Sequence, residues 1–358
     1  MTQTSFSANG LPTLIGSIPL DSHDQALDWI LDHTPEIPLW PQLPGLAQEG
    51  MLVQFLEGFP GLAREEGGKT YFNTLTEEFA NETLAFFEEY LTLREDPAGL
   101  LQSRFQVSND RAAGLYRLAE RMKDTNSVAV KGQITGPFTL LTGVTDQEQR
   151  ATYYDPALRE IIHKGLAMKA AWQVEFLKKI NDNVILFMDE PALAGLGSSA
   201  FISISKESLA EDQAEIITAI KGAGGLAGVH VCANTDWPLL LSLDYDIINF
   251  DAYGFFDRFV SYEKEIHAFL KRGGIIAWGI VPTAKEEDVL KESSESLTEL
   301  WKKQADQLCS AGWDYSSILA QSLITPSCGT GSLSSEAAKK VLEMTRDVSA
   351  ALRQEYLP

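Results

Sequence analysis

The sequence predicts an α/β fold: a single (β/α)8 TIM barrel with an elaborated helical N-terminal region. Three observations carry that expectation. Eight short apolar runs of strand type alternate with segments of helical periodicity. Strand–helix alternation with right-handed crossovers implies parallel pairing, and eight such strands is the number that closes a barrel of this kind. An open doubly wound sheet would carry a Gly-X-Gly-X-X-Gly segment after an early strand, and none is there.

The elements follow in order. The first strand is the run Thr13–Ser17, ending in Ile15-Gly16-Ser17, and the second is Ile37–Gln42, ending in Trp40-Pro41-Gln42. Roughly 85 residues then intervene, mostly of helical pattern at Leu75–Leu93 and Pro97–Met122, and they form the N-terminal elaboration. The third strand, Val128–Gln133, runs into Thr135-Gly136-Pro137, where Gly136 permits close backbone approach. A long helix near Pro156–Ile180 leads to the fourth strand, Val184–Asp189, which closes with Glu190-Pro191. Helix Lys206–Ala223 precedes the fifth strand, Leu226–Cys232; the sixth is Ile247–Asp251, followed by helix Tyr262–Arg272. The seventh, Ile275–Val281, carries Trp278, read as packing at the barrel mouth. Helix Lys285–Ser310 leads to the eighth strand, Leu323–Cys328, and helix Ser335–Glu355 ends the chain. No linker, repeat or low-complexity tract divides residues 1–358, so one domain is expected.

Composition narrows the function. The 358 residues carry 50 acidic against 29 basic side chains, for a formal net charge of -21, and no Lys or Arg precedes Arg64. Phosphate-backbone binding needs clustered Lys and Arg, so nucleic acid is not an expected partner. No apolar stretch approaches the roughly 20 residues of a membrane span, and the first residues lack the pattern of a signal peptide. The three cysteines form no even framework, which suits a reducing cytoplasm.

In a barrel, chemistry gathers at the C-terminal ends of the strands. His230 and Cys232 are i and i+2 on one strand and face the same side. Cys328 ends the last strand and Asp251 the sixth. His230, Cys232 and Cys328 make an N/S/S donor set suited to zinc, with Asp251 as a candidate fourth ligand. A thiolate-rich site is a poor water activator and suits a substrate sulfur. Cys309, within a helical pattern, reads as an apolar filler. Ser17 has a second reading as a helix cap, and Asn234 and Asp236 can cap the helix after them.

The segments IGSIP at 15–19, ITGPFTL at 134–140, MDEPAL at 188–193, HVC at 230–232 and SCGTG at 327–331 together resemble the catalytic domain of cobalamin-independent methionine synthases. The resemblance runs the length of the chain. It reaches more loosely to the uroporphyrinogen decarboxylase and corrinoid:thiol methyltransferase superfamily. It implies that His230, Cys232 and Cys328 bind zinc. Asp251 stands where the family has a glutamate ligand. Ile15, Gly16 and Ser17 match the segment that holds the homocysteine carboxylate, and Asp189 matches an acid that holds the ammonium. Gln42 occupies the place of a second family acid. The short chain resembles the core-type enzymes, which implies a methylated corrinoid, free or protein-bound, as methyl donor to homocysteine. No catalytic residue beyond the zinc and substrate-binding set is implied.

Three rivals share the barrel. A uroporphyrinogen-type decarboxylase would need N-terminal arginines that this chain lacks. A methyltransferase using another thiol, such as coenzyme M, would use the same ligands. A non-catalytic barrel stapled by zinc and docking a corrinoid protein would show no thiol-dependent activity.

Overall fold

A computed structural model describes residues 6–65, 67–123, 125–198, 201–309 and 312–357. In chain order its strands are β1 (Leu11–Pro12), β2 (Leu62–Arg64), β3 (Thr70–Phe72), β4 (Val130–Thr135), β5 (Val184–Asp189), β6 (Leu226–Val231), β7 (Ile247–Phe250), β8 (Ile275–Val281) and β9 (Ser322–Pro326). Seven of them form one curled sheet in the order β1-β9-β8-β7-β6-β5-β4, every pair parallel. Among the described residues the sheet has seven strands, so the expected eight-stranded barrel is not formed.

The missing strand is the second, residues 37–42. Leu39 makes one isolated bridge to Lys131 and Gln42 one to Ser17, so the segment touches both edges of the sheet without becoming a strand. Pro38 and Pro41 explain this, because neither can donate to a ladder and each interrupts regular pairing. The first strand is likewise earlier and shorter than Thr13–Ser17. It comprises Leu11–Pro12, and the chain beyond it holds on through single bonds such as Thr13 N to Ile324 O at 3.0 Å.

Strand alternation sorts the two faces of the sheet. Ile185, Phe187, Leu226, Ile247, Ile275, Ala277 and Leu323 form an apolar cluster within its concave side. Leu186, Met188, Val229, Phe250 and Trp278 belong to the larger core on the helical side. Following the concave face along the strands, Ile185 and Phe187 give way to Asp189, Leu226 to His230, and Ile247 to Asn249. The apolar filling therefore ends where polar side chains begin, at the C-terminal ends.

The helices Pro156–Leu177 and Lys206–Gly222 match their expected spans closely. Asp155 accepts from the backbone N–H groups of Ala157 and Leu158, and Pro156 occupies the first turn, which sets the start of the longer one. The run Pro97–Met122 is broken into a 3-10 turn, Pro97–Gln102, and a helix, Ala113–Arg121. Ser103, Ser108, Asn109 and Asp110 lie between them and favour local turns over helix. The run Lys285–Ser310 is split into Glu286–Lys291 and Ser294–Asp306, the second started afresh by a capping box at Ser293; Ser310 lies outside the described residues. The antiparallel β2–β3 hairpin was not foreseen, its strands being three residues each. Among the described residues no helix is long and apolar enough to cross a membrane.

Candidate metal centre and its cavity

His230 lies near the end of β6, Cys232 one residue past it, and Cys328 two residues past β9. Their ligand atoms all lie within 4.8 Å of one another. Both thiols are free and half-buried, and the imidazole is buried.

The tautomer of His230 follows from its neighbour. Asn249 donates its amide hydrogens to Ala277 O at 2.9 Å and Thr325 Oγ1 at 2.8 Å. Its Oδ1 is therefore the atom facing His230 Nδ1, and an amide oxygen only accepts, so Nδ1 carries the proton. Nε2 keeps its lone pair, and this buried atom has no hydrogen-bond partner among the described residues. A ligating histidine has this arrangement, with the second nitrogen tied to an outer acceptor. Burial pushes the imidazole down to about 4, against the Asn249 bond, so it is neutral at neutral pH. Cys232 is lowered to about 7, first by the hydrogen bond from the Cys328 thiol, while that bond and burial push Cys328 up. The pair thus loses its first proton readily. A neutral imidazole lone pair, an ionisable thiol and a second sulfur within one ion's reach fit zinc in donor type and spacing.

Asp251 stands outside that group. Its Oδ1 accepts from Gly254 N at 2.7 Å and caps the helix Ala252–Phe259. Burial pushes it up to about 6, with the Gly254 and Tyr253 amides opposing.

Beside the three donors lies a cavity of about 270 Å³, whose wall includes Ile15, Ser17, Gln42 and Asp189. Gly16 holds Gln42 in place by accepting from its backbone N–H at 3.0 Å. Ser17 Oγ accepts from Gly331 N at 3.2 Å and its carbonyl from Thr330 N at 2.9 Å, so Ser17 binds the loop that carries Cys328 and caps no helix. A Cβ on Gly329 would sit 2.1 Å from Ser17 Oγ, which is why that loop reads Cys-Gly. Gln42 donates to Gln54 Oε1 at 2.6 Å. Asp189 is 5% exposed, and its Oδ1 has no hydrogen-bond partner among the described residues. Burial pushes its carboxyl up to about 7, opposed by the Lys131 charge.

Two residues on this site escaped the sequence reading. Glu49 is a second buried carboxylate in the cavity wall, held by Leu43 N at 2.8 Å and His23 Nε2 at 2.7 Å. It lies on the 3-10 turn Ala47–Glu49, away from any strand end, so strand ends gave no sign of it. Lys131 is fully buried beneath the site and reads in the sequence as one more residue of a strand.

The neighbouring motif residues are structural. Glu190 accepts from Phe138 N at 3.0 Å, Thr139 N at 2.8 Å and Thr139 Oγ1 at 2.6 Å, anchoring the helix Pro137–Gly143 to the end of β5. Gly136 makes room for that carboxylate, since a Cβ there would lie 2.2 Å from its carbon. Trp278 packs on the helical side against Phe256 and Trp301 and donates to Ser322 Oγ at 2.9 Å. Asp236 caps the helix Trp237–Ser242, while Asn234 accepts from Trp237 Nε1. Cys309 lies past its helix and packs partly against the core. A larger groove of about 600 Å³ lies among the outer helices around Leu93, Met168 and Ala219 and contains none of these donors.

No protein-family model matches the chain. No curated protein matches it. Among solved structures it is similar to a B12-independent methionine synthase from Shewanella sp. W3-18-1 in complex with selenomethionine, at 14% identity and a TM-score of 0.58, over 97% of this chain and 99% of that one. It also matches a putative vitamin-B12 independent methionine synthase from Listeria monocytogenes, at 16% identity and a TM-score of 0.44, over 67% of this chain and 69% of that one. The tandem GH20 catalytic modules of a pneumococcal exo-beta-D-N-acetylglucosaminidase match at 12% identity and a TM-score of 0.49, over 95% and 85%. The Shewanella likeness is one of fold.

Proposed function

We propose that residues 1–358 are one zinc-dependent methyltransferase that moves a methyl group from a methylated corrinoid to the thiolate of homocysteine, forming methionine. The observation that carries this reading is the lone pair of His230 Nε2, buried and unpartnered, converging with the Cys232 and Cys328 sulfurs at one wall of a cavity. His230, Cys232 and Cys328 would hold the ion. Bound zinc would supply the positive charge that keeps a substrate thiol deprotonated and nucleophilic near neutral pH. A cytoplasmic enzyme is the fitting context, because a reducing compartment keeps both cysteines as thiols.

The protein's own groups favour an amino-acid thiol. Asp189 and Glu49 give the cavity two buried carboxylates, and no Lys or Arg lines it among the described residues. Such a wall attracts an ammonium and repels the sulfonate of a coenzyme M-like thiol. Ser17 and Ile15 line the same cavity, and that side is assigned to the carboxylate end, as the resemblance implies. With the thiol fixed at both ends, a sulfur–carbon bond forms as the methyl–cobalt bond breaks, both electrons of that bond leaving on cobalt. The corrinoid donor rests on the sequence resemblance to core-type enzymes.

The test is zinc content together with methyl transfer from methylcobalamin to homocysteine, wild type against Cys328→Ser. Loss of zinc and turnover together is expected. Loss of zinc with turnover intact sinks the reading. Turnover with methyltetrahydrofolate in place of the corrinoid would overturn the donor and leave the zinc-held thiol standing.

A further inference from the structure

Lys131 has a setting that its strand position does not require. It is 0% exposed, the second residue of β4. Its ammonium donates to Ile15 O at 2.6 Å and lies 4.5 Å from the centre of the Phe187 ring. No carboxylate oxygen lies within 4.0 Å of that ammonium among the described residues. Its backbone N–H donates to Pro38 O at 2.9 Å, and Leu39 bridges to it. Lys131 therefore sits at the seam where residues 37–42 fail to form a strand, and its side chain reaches across to the segment after β1.

We propose that Lys131 is a positioning residue of this site: its ammonium clamps the Ile15 carbonyl at the seam and is the counter-charge against which the Asp189 carboxylate is buried in the cavity wall. A buried cation and a buried anion are each costly alone, and each relieves the other within one low-dielectric interior. Asp189 has the complementary need. It is buried, its Oδ1 has no partner, and Lys131 is the positive charge felt there. The Phe187 ring accepts the ammonium on its face, on the strand that carries Asp189 two residues further on. One side chain thus fixes two parts of the same cavity wall, the Ile15–Ser17 turn and the end of β5.

A double-mutant cycle in the full chain separates this from a simple structural stitch. Lys131→Met and Asp189→Asn each leave one buried charge unopposed. Each is expected to lower the folding equilibrium constant by about 100-fold in denaturant titrations, and the double variant to recover at least about 10-fold over the weaker single. If Lys131→Met does not fold, the double variant regaining a cooperative transition is the same rescue. A double variant no more stable than Lys131→Met overturns the counter-charge. A second readout rests on the thiol-methylating reading: Lys131→Met is expected to raise the homocysteine KM about 10-fold with a smaller change in kcat. An unchanged KM overturns the positioning role. Absence of thiol methylation by the wild type would count against the proposed function, and the stability cycle would still decide the counter-charge.

Discussion

His230 donates its Nδ1 proton to the side-chain oxygen of Asn249, and that bond turns Nε2 toward Cys232 and Cys328 as a free lone pair. Asn249 is itself fixed by Ala277 O and Thr325 Oγ1, so three neighbouring strands settle the chemistry of one imidazole. Removing this outer partner should weaken metal binding without touching a ligand. Asn249→Ala is expected to lower zinc affinity by about 10- to 100-fold in chelator competition. Wild-type affinity would show that the tautomer is not set here.

The fit of Gly136 against Glu190 predicts a steric defect. Gly136 has φ -69°, which any residue adopts, so its cost on substitution comes from the Glu190 carboxylate alone. Gly136→Ala should displace that carboxylate from the Phe138 and Thr139 amides and destabilise the protein by about 2 kcal/mol or more. Urea unfolding measures it; a loss below about 0.5 kcal/mol would mean the loop shifts freely.

Lys169 supplies a pH dependence remote from the site. It is fully buried and donates to Gln106 O at 3.1 Å; burial lowers it to about 7, with the Glu57 charge opposing. The unfolded lysine binds its proton up to about 10.5, so between these values the unfolded state holds more protons. The contribution of Lys169 to stability therefore rises with pH from about 7 to about 10.5, by about 1.4 kcal/mol per unit at most. It is least favourable below pH 7, where the buried ammonium is charged. Lys169→Met should stabilise the protein most at neutral pH and flatten that rise. A parallel pH dependence in wild type and variant would contradict it.

What the sequence disclosed follows from how each element is encoded. β5 and β8 are continuous apolar runs buried on both faces, and their bounds are those read from the pattern. His230, Cys232 and Cys328 were visible because metal-capable side chains at strand ends are chemically unusual, and the structure does bring them together. The segment 37–42 was misread because its apolar pattern is that of a strand while its prolines withhold the donors a strand needs. Asp251 was visible as an acid at a strand end, yet the helix starting at Ala252 takes up its side chain, a local demand that spacing does not reveal. Glu49 and Lys131 are held by partners far off in the sequence, His23 at 26 residues and the Ile15 carbonyl at 116. No local pattern encodes either.

The two carboxylates of the cavity predict a selectivity that can be read by binding alone. Homocysteine and 4-mercaptobutyrate share a thiol and a carboxylate and differ in the ammonium. Glu49, held by His23 and Leu43 N, and Asp189, with a free buried oxygen, would each give an ammonium a charge-assisted hydrogen bond, worth about 1.5–3 kcal/mol. Zinc-loaded protein should therefore bind homocysteine at least about 10-fold more tightly than 4-mercaptobutyrate in calorimetry. Glu49→Gln should remove about a 10-fold share of that preference while leaving 4-mercaptobutyrate binding unchanged. Equal weakening for both thiols would mean that Glu49 only supports the loop, and the ammonium would then rest on Asp189 alone.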